Sequence, residues 1–163
     1  MTTIRTAGPD DAATILAFIH ALAVYEREPD AVEATEASLR AQLAADHPPF
    51  HCLVASVPGE DGNRDVGMAL WFPTYSTWTG TPGIHLEDLF VEPDARGSGV
   101  GLALLTALAD EVVARGWGRL EWAVLDWNQP AIDFYDRIGA APLSEWTTWR
   151  LAGDDLHALA TRT

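Results

Sequence analysis

Arg96 stands directly before three alternate glycines, Gly97, Gly99 and Gly101, in the stretch "VEPDARGSGVGLALLTAL" from Val91 to Leu108. Glycine lets backbone approach another group closely and adopt left-handed conformations. A Leu/Ala-rich segment follows at once, so the cluster opens a helix. The unpaired N–H groups and positive dipole end of a helix N-terminus suit an anion, and Arg96 adds a fixed charge. The residues alone leave two readings open, a tight turn or a phosphate cradle. Two nucleotide motifs are excluded. An NTPase phosphate loop places Lys and then Ser or Thr after its last glycine, where Leu102 and Ala103 stand here. A dinucleotide fingerprint spaces its glycines differently and opens a run of βαβ units, which the first half of the chain does not supply.

A second group that could do chemistry is the pair Glu87 and Asp88, flanked by Leu86, Leu89, Phe90 and Val91. Carboxylates inside an apolar strand are costly if buried. Adjacent strand residues point to opposite faces, so in a regular strand only one of the two faces a given cleft, unless a bulge intervenes. His85 is a tempting base, but a lone strand histidine reads as structural. Tyr135 lies at the margin of an apolar stripe of Ala131, Phe134 and Ile138, where packing explains it by default. The five histidines and Cys52 show no metal-ligand spacing, so no metal is expected. Cys52 alternates with Phe50 and Val54, which suggests a core face.

These residues need elements to hold them. "TTIRTA" reads as a short strand, and "PDDAATILAFIHALAVYE" as a helix with Ile15, Ile19 and Leu22 at helical spacing. "TEASLRAQLAAD" reads as a second helix that Thr35 can cap. "FHCLVASV" and "DVGMALWFPTY", joined by the turn "GEDGN", read as an antiparallel pair, and "GIHLEDLFV" as the next strand. The helix after the glycines is expected to bury Leu102, Leu105, Leu108 and Val112. "RLEWAVL" reads as a strand and "NQPAIDFYDRIG" as a helix, with Pro130 in its first turn and Gly139 as its C-terminal cap. "APLSEWTTWRL" reads as a last strand. The order implies an α/β fold: a mixed, mostly antiparallel central sheet flanked by helices.

The length, 163 residues, suggests one domain over 1–163. Hydrophobic residues make up 48% of the chain, enough for a globular core. No apolar run is long enough for a bilayer, and no signal peptide is evident at the start, so neither membrane attachment nor export is expected. A single cysteine permits no intrachain disulfide and fits a cytoplasmic location. The net charge of −14 repels nucleic acid and anionic membranes and attracts cations such as amines. An anionic ligand would need local donors, and the Arg96–Gly101 loop is the best candidate.

The stretches "LEDLFVEPDARGSGVGLALL" and "VLDWNQPAIDFYDRIGA" resemble the Gcn5-related N-acetyltransferase superfamily, whose pyrophosphate loop is matched by Arg96, Gly99 and Gly101. "YSTWTG" and "AVLDWNQ" look most like the thialysine members of its diamine acetyltransferase branch, and the similarity runs from about Ile4 to Leu151. The resemblance implies a single-domain acetyltransferase that uses acetyl-CoA on a small primary amine by direct transfer in a ternary complex. It implies that Arg96, Gly97, Ser98, Gly99, Val100 and Gly101 hold the pyrophosphate. The edge at Leu89, Phe90 and Val91, with Asn128 and Phe134, would hold the pantetheine arm. By the same resemblance Tyr135 protonates the CoA sulfur, and Glu87 is the base through water. Asp88, Glu26 and Trp78 would join Glu87 in binding the amine. A homodimer is implied as well. Members specific for polyamines carry acids where Ser76 stands and near Trp146 and Thr147; Glu145 could partly compensate. That departure favours a short, lysine-like amine. The alternatives are a spermidine/spermine acetyltransferase and a catalytically weak acyl-CoA-binding sensor.

Overall fold

A computed structural model describes residues 1–60 and 62–162. They form two compact units, divided between Ala123 and Val124.

The first unit is built on a five-stranded sheet of order β1-β2-β3-β4-β5: β1 Thr3–Thr6, β2 His51–Gly59, β3 Gly62–Ser76, β4 Thr81–Val91 and β5 Leu120–Trp122. The first four strands run antiparallel in sequence, and β5 returns parallel to β4. That return is made by α3, Val100–Ala114. The sheet is therefore mixed and mostly antiparallel, as the sequence pattern requires. Two further helices, α1 (Ala12–Tyr25) and α2 (Glu36–Leu43), lie between β1 and β2 in the chain.

Strand alternation sorts the core. Phe50, Cys52 and Val54 of the β2 segment join Met68, Leu70 and Phe90 in one buried cluster with Ala12, Ile15 and Phe18 of α1 and Leu39 of α2. The intervening residues turn to the other face, where the Trp71 ring meets His51 and the Arg115 guanidinium at the end of α3. Thr35 caps α2, its hydroxyl oxygen accepting the Ser38 N–H at 3.1 Å. On α3 the buried residues are Val100, Leu104, Leu105, Leu108 and Val112. Leu102, expected on that stripe, is 48% exposed. The helix begins at Val100, and the positions about four apart from there, Leu104, Leu108 and Val112, set the inward face and leave Leu102 outside it.

Two expectations for strands need correction. "RLEWAVL" forms a strand only at Leu120–Trp122, because β4 pairs with it only over Ile84–Leu86. "APLSEWTTWRL" forms no strand; a strand exists through its partner, and the second unit has none among the described residues. That unit carries α4, Gln129–Arg137, and α5, Gly153–Ala160. The sequence reading missed α5, whose N-cap position is Ala152, a residue with no capping side chain. Gly139 ends α4 as expected, with φ +85°, and the Ala140 N–H returns to the Tyr135 carbonyl at 3.1 Å.

Candidate active site

The two carboxylates on β4 sit at a break in the sheet. Leu70 of β3 opposes Asp88, and the next residue, Trp71, opposes Leu86. Glu87 is therefore the extra residue of a β-bulge. A bulge lifts the alternation rule, which is how adjacent acids come to act on one space. The sequence reading allowed for this, and pairing across β3 realises it. Glu87 is well exposed, whereas Asp88 is half-buried. Asp88 is pushed up to about 6, first by burial and then by repulsion from Glu87 and Glu26. Glu26 is itself raised by burial.

Glu26 reaches this cluster from the end of α1. Phe18 meets Phe90 with ring centroids 5.5 Å apart, which ties α1 to β4 close to Asp88. The helix ends at Glu26 in a double closure, Arg27 N–H to Val24 O and Glu28 N–H to Ala23 O. The left-handed position in that closure is held by Arg27, with φ 69°, where glycine is usual. Such a conformation is strained in a residue with a side chain.

The same helix end touches the glycine loop. The Arg96 guanidinium lies 4.9 Å from the centroid of the Tyr25 ring, a cation–π contact, and its Nε donates to the Val91 carbonyl at 2.9 Å. Gly97 and Gly99 have φ of +74° and +90°, and a Cβ on either would meet nothing within 4 Å. The loop thus opens onto free space at both positions, and its backbone conformation favours glycine. Ser98 closes it from behind, its hydroxyl donating to the Ala95 carbonyl at 2.6 Å. The first α3 amide bonded within the helix is that of Ala103, to Gly99 O at 2.9 Å. The amides of Val100, Gly101 and Leu102 before it have no partner in the helix. Backbone N–H groups, a helix dipole and one guanidinium fit a pyrophosphate. Beyond Leu86 no strand pairs with β4 on the β5 side among the described residues, so the backbone of Leu89, Phe90 and Val91 borders an unpaired edge.

Trp78 lies at the β3–β4 turn and is 86% exposed. Six residues of strand, about 20 Å, separate that turn from Glu87. In the second unit Asn128 is the buried residue at the N-cap of α4, and its carbonyl accepts the Ala131 and Ile132 N–H groups. Phe134 and Tyr135 are neighbours on α4, with ring centroids 5.5 Å apart. The first unit therefore gathers Glu26, Glu87, Asp88 and the Arg96 loop, while Asn128, Phe134 and Tyr135 share one short helix.

Two residues near these groups were passed over in the sequence. Tyr25 is the seat of Arg96, and its position beside Glu26 was the available signal. His85 brings Nε2 within 3.5 Å of Glu87 Oε2, and its signal was the two-residue strand period. A cavity of about 330 Å³ on the α3 side, lined in part by His51, Trp71, Glu111 and Arg115, includes none of the candidate residues. Cys52 is pushed up to about 12, chiefly by burial, so its thiol does not supply a nucleophile. No group of three or more potential metal ligands occurs among the described residues. Nor is any helix among them long and apolar enough to cross a membrane.

The model of the acetyltransferase (GNAT) family matches residues 14–140. A thialysine N-epsilon-acetyltransferase of Sus scrofa is 41% identical over 164 residues, covering 96% of each chain. The L-ornithine N5-acetyltransferase NATA1 of Arabidopsis thaliana is 33% identical, over 96% of this chain and 86% of that protein. Among solved structures, the integron cassette protein VCH_CASS6 from the mobile metagenome of V. cholerae has a TM-score of 0.79 at 25% identity, covering 99% of this chain and 98% of its own. With most of its length matched by this family and by relatives that carry acetyl to amines, the chain belongs to the acetyltransferase (GNAT) family and is an amine-acetylating enzyme.

Proposed function

We propose that the enzyme moves acetyl from acetyl-CoA to the side-chain amine of a short, lysine-like amino acid. The observation that carries this reading is the cluster of Glu26, Glu87 and Asp88 beside a glycine loop whose backbone is left-handed and open at Gly97 and Gly99. Relatives named for thialysine and L-ornithine support the same substrate class.

A free primary amine is about one part in a thousand neutral at pH 7.4, a handicap of roughly 4 kcal/mol. In the proposed reaction Asp88 and Glu26 attract the ammonium. Glu87 takes its proton through a water. The amine nitrogen then attacks the thioester carbonyl, forming the C–N bond as the C–S bond breaks, and the nitrogen gives up its second proton to solvent. Tyr135 gives its phenolic proton to the departing CoA sulfur and is reprotonated from solvent, so the products are the N-acetyl amine and free CoA. The Arg96–Gly101 loop holds the pyrophosphate, with Ser98 and Val100 shaping it. The β4 edge at Leu89–Val91, with Asn128 and Phe134, takes the pantetheine arm. Trp78 serves the amine's approach. Exposed Leu143, Trp146, Trp149 and Leu151 in the second unit support a homodimer, which sedimentation would test.

The discriminating experiment is a panel of amines with CoA release as the readout. The reading expects thialysine, lysine or ornithine to lead. A preference for spermine would transfer the assignment to the polyamine class. Acetyl-CoA binding without turnover on any amine would leave only a binding module.

A further inference from the structure

Glu87 is poorly placed to hold still. As the bulge residue it lacks a cross-strand partner, its side chain is 56% exposed, and it and Asp88 repel each other. Among the described residues the group within ion-pair distance of it is His85, with Nε2 3.5 Å from Oε2. The imidazole is itself fixed. It stacks on Phe72, its cross-strand neighbour, with centroids 5.0 Å apart and planes 29° apart. On its other flank β5 brings Glu121 into register, and that carboxylate is held by Arg119 at 2.7 Å. Phe72 fixes the ring plane, Arg119 occupies the competing carboxylate, and Nε2 is left to Glu87.

We propose that His85 is a positioning residue for Glu87, holding its carboxylate over the bulge beside Asp88 and countering the repulsion from Asp88. This rests on the reading of Glu87 as the base. Protonated, the imidazole is a counter-charge to the Glu87 carboxylate. Neutral, it can accept the proton that Glu87 removes from the amine and pass it to solvent, to which it is 31% open. The charged groups set against it are Glu87 on its own strand and the Glu121–Arg119 pair on β5, while Asp88 and Glu26 interact with each other beyond Glu87. Its β3 neighbour, Phe72, is neutral.

The test compares His85→Phe, His85→Gln and Glu87→Gln in the full chain, each checked for thermal stability and for acetyl-CoA affinity by calorimetry. The pH profile of kcat is then recorded with thialysine. His85→Phe keeps the aromatic stack and is expected to bind acetyl-CoA normally, to lose about tenfold in kcat, and to move the acid limb to higher pH. His85→Gln, which retains an N–H donor, is expected to recover part of kcat. A packing role would lower the melting temperature and leave the acid limb in place, which overturns the proposal. Wild-type kcat and profile in His85→Phe, with Glu87→Gln inactive, overturns it while sparing Glu87 as base. Wild-type turnover in Glu87→Gln overturns both.

Discussion

In the proposed reaction Asp88 draws the amine, and the burial that surrounds it sets that role against stability. In the folded chain it ionises near pH 6, because burial and the charges of Glu87 and Glu26 oppose its anion. Unfolded, it ionises at the ordinary value near ~3.9. Between these values the unfolded chain sheds a proton that the folded chain keeps, so stability falls as pH rises through the window. Below it both forms are protonated and nothing is lost; above it the full penalty applies. Asp88→Asn is therefore expected to melt with wild type near pH 4 and progressively above it towards pH 7, while binding amine more weakly. Thermal melts across that range check this, and a constant offset would contradict it. Tyr135 acts on the chemical step alone in the proposed mechanism. Tyr135→Phe should keep acetyl-CoA affinity and lose roughly ten- to a thousandfold in kcat, the range for one proton-transfer group. Wild-type turnover in that variant would leave the ring as a packing residue.

At the scale of elements, the loop before α3 and the bulge in β4 frame the candidate site, and they were unequally legible. The loop was readable because its signals are local: an arginine, alternate glycines, then a helix. Gly99 tests it most directly. Its φ of +90° costs a non-glycine residue on the order of 1–3 kcal/mol, yet a Cβ there meets nothing within 4 Å. Gly99→Ala should thus lower stability by about that amount and weaken acetyl-CoA modestly. Gly99→Asp adds a like charge beside the phosphates and should weaken it far more. Gly101→Ala, with its Cβ 3.8 Å from a Val91 methyl and no positive φ, should fold as wild type. Calorimetric affinities in that order support the pyrophosphate assignment, and equal affinities would remove it. The bulge was less legible, because Glu87 becomes the extra residue only through pairing with β3. Glu26 joins Asp88 through the Phe18–Phe90 contact, which no local pattern contains. The strand expected at "APLSEWTTWRL" failed for the same reason: its alternation was visible, but whether a partner strand exists is not a local property.

The whole molecule adds a field. Its net charge is −14, and every one of the ten basic residues is arginine, so no side chain competes as an ε-amine substrate. Such a field draws polycations more strongly than short amines, and salt screens it. Local partners act against that trend. Spermine offers four amines, each of which would gain from its own carboxylate, and a close surface pair is worth up to about 1 kcal/mol. Ser76 supplies no charge. It is buried at the β3–β4 turn, where its Oγ accepts the Thr79 N–H at 3.3 Å and its carbonyl the Gly80 N–H at 2.8 Å. Missing partners there and at Thr147 should cost a polyamine on the order of tenfold to a hundredfold in kcat/KM. Thialysine keeps Glu26, Glu87 and Asp88 near its reacting end and should outperform spermidine and spermine. Added salt should widen the gap, because spermine loses its long-range attraction while thialysine has less to lose. Ser76→Asp retains an acceptor for the turn and adds a charge, and should narrow the gap. Rates for both amines at 20 and 500 mM NaCl, in wild type and Ser76→Asp, check this on the order of one Debye length against another. If spermine leads in wild type, or if neither salt nor Ser76→Asp moves the ratio, charge counting does not govern substrate choice.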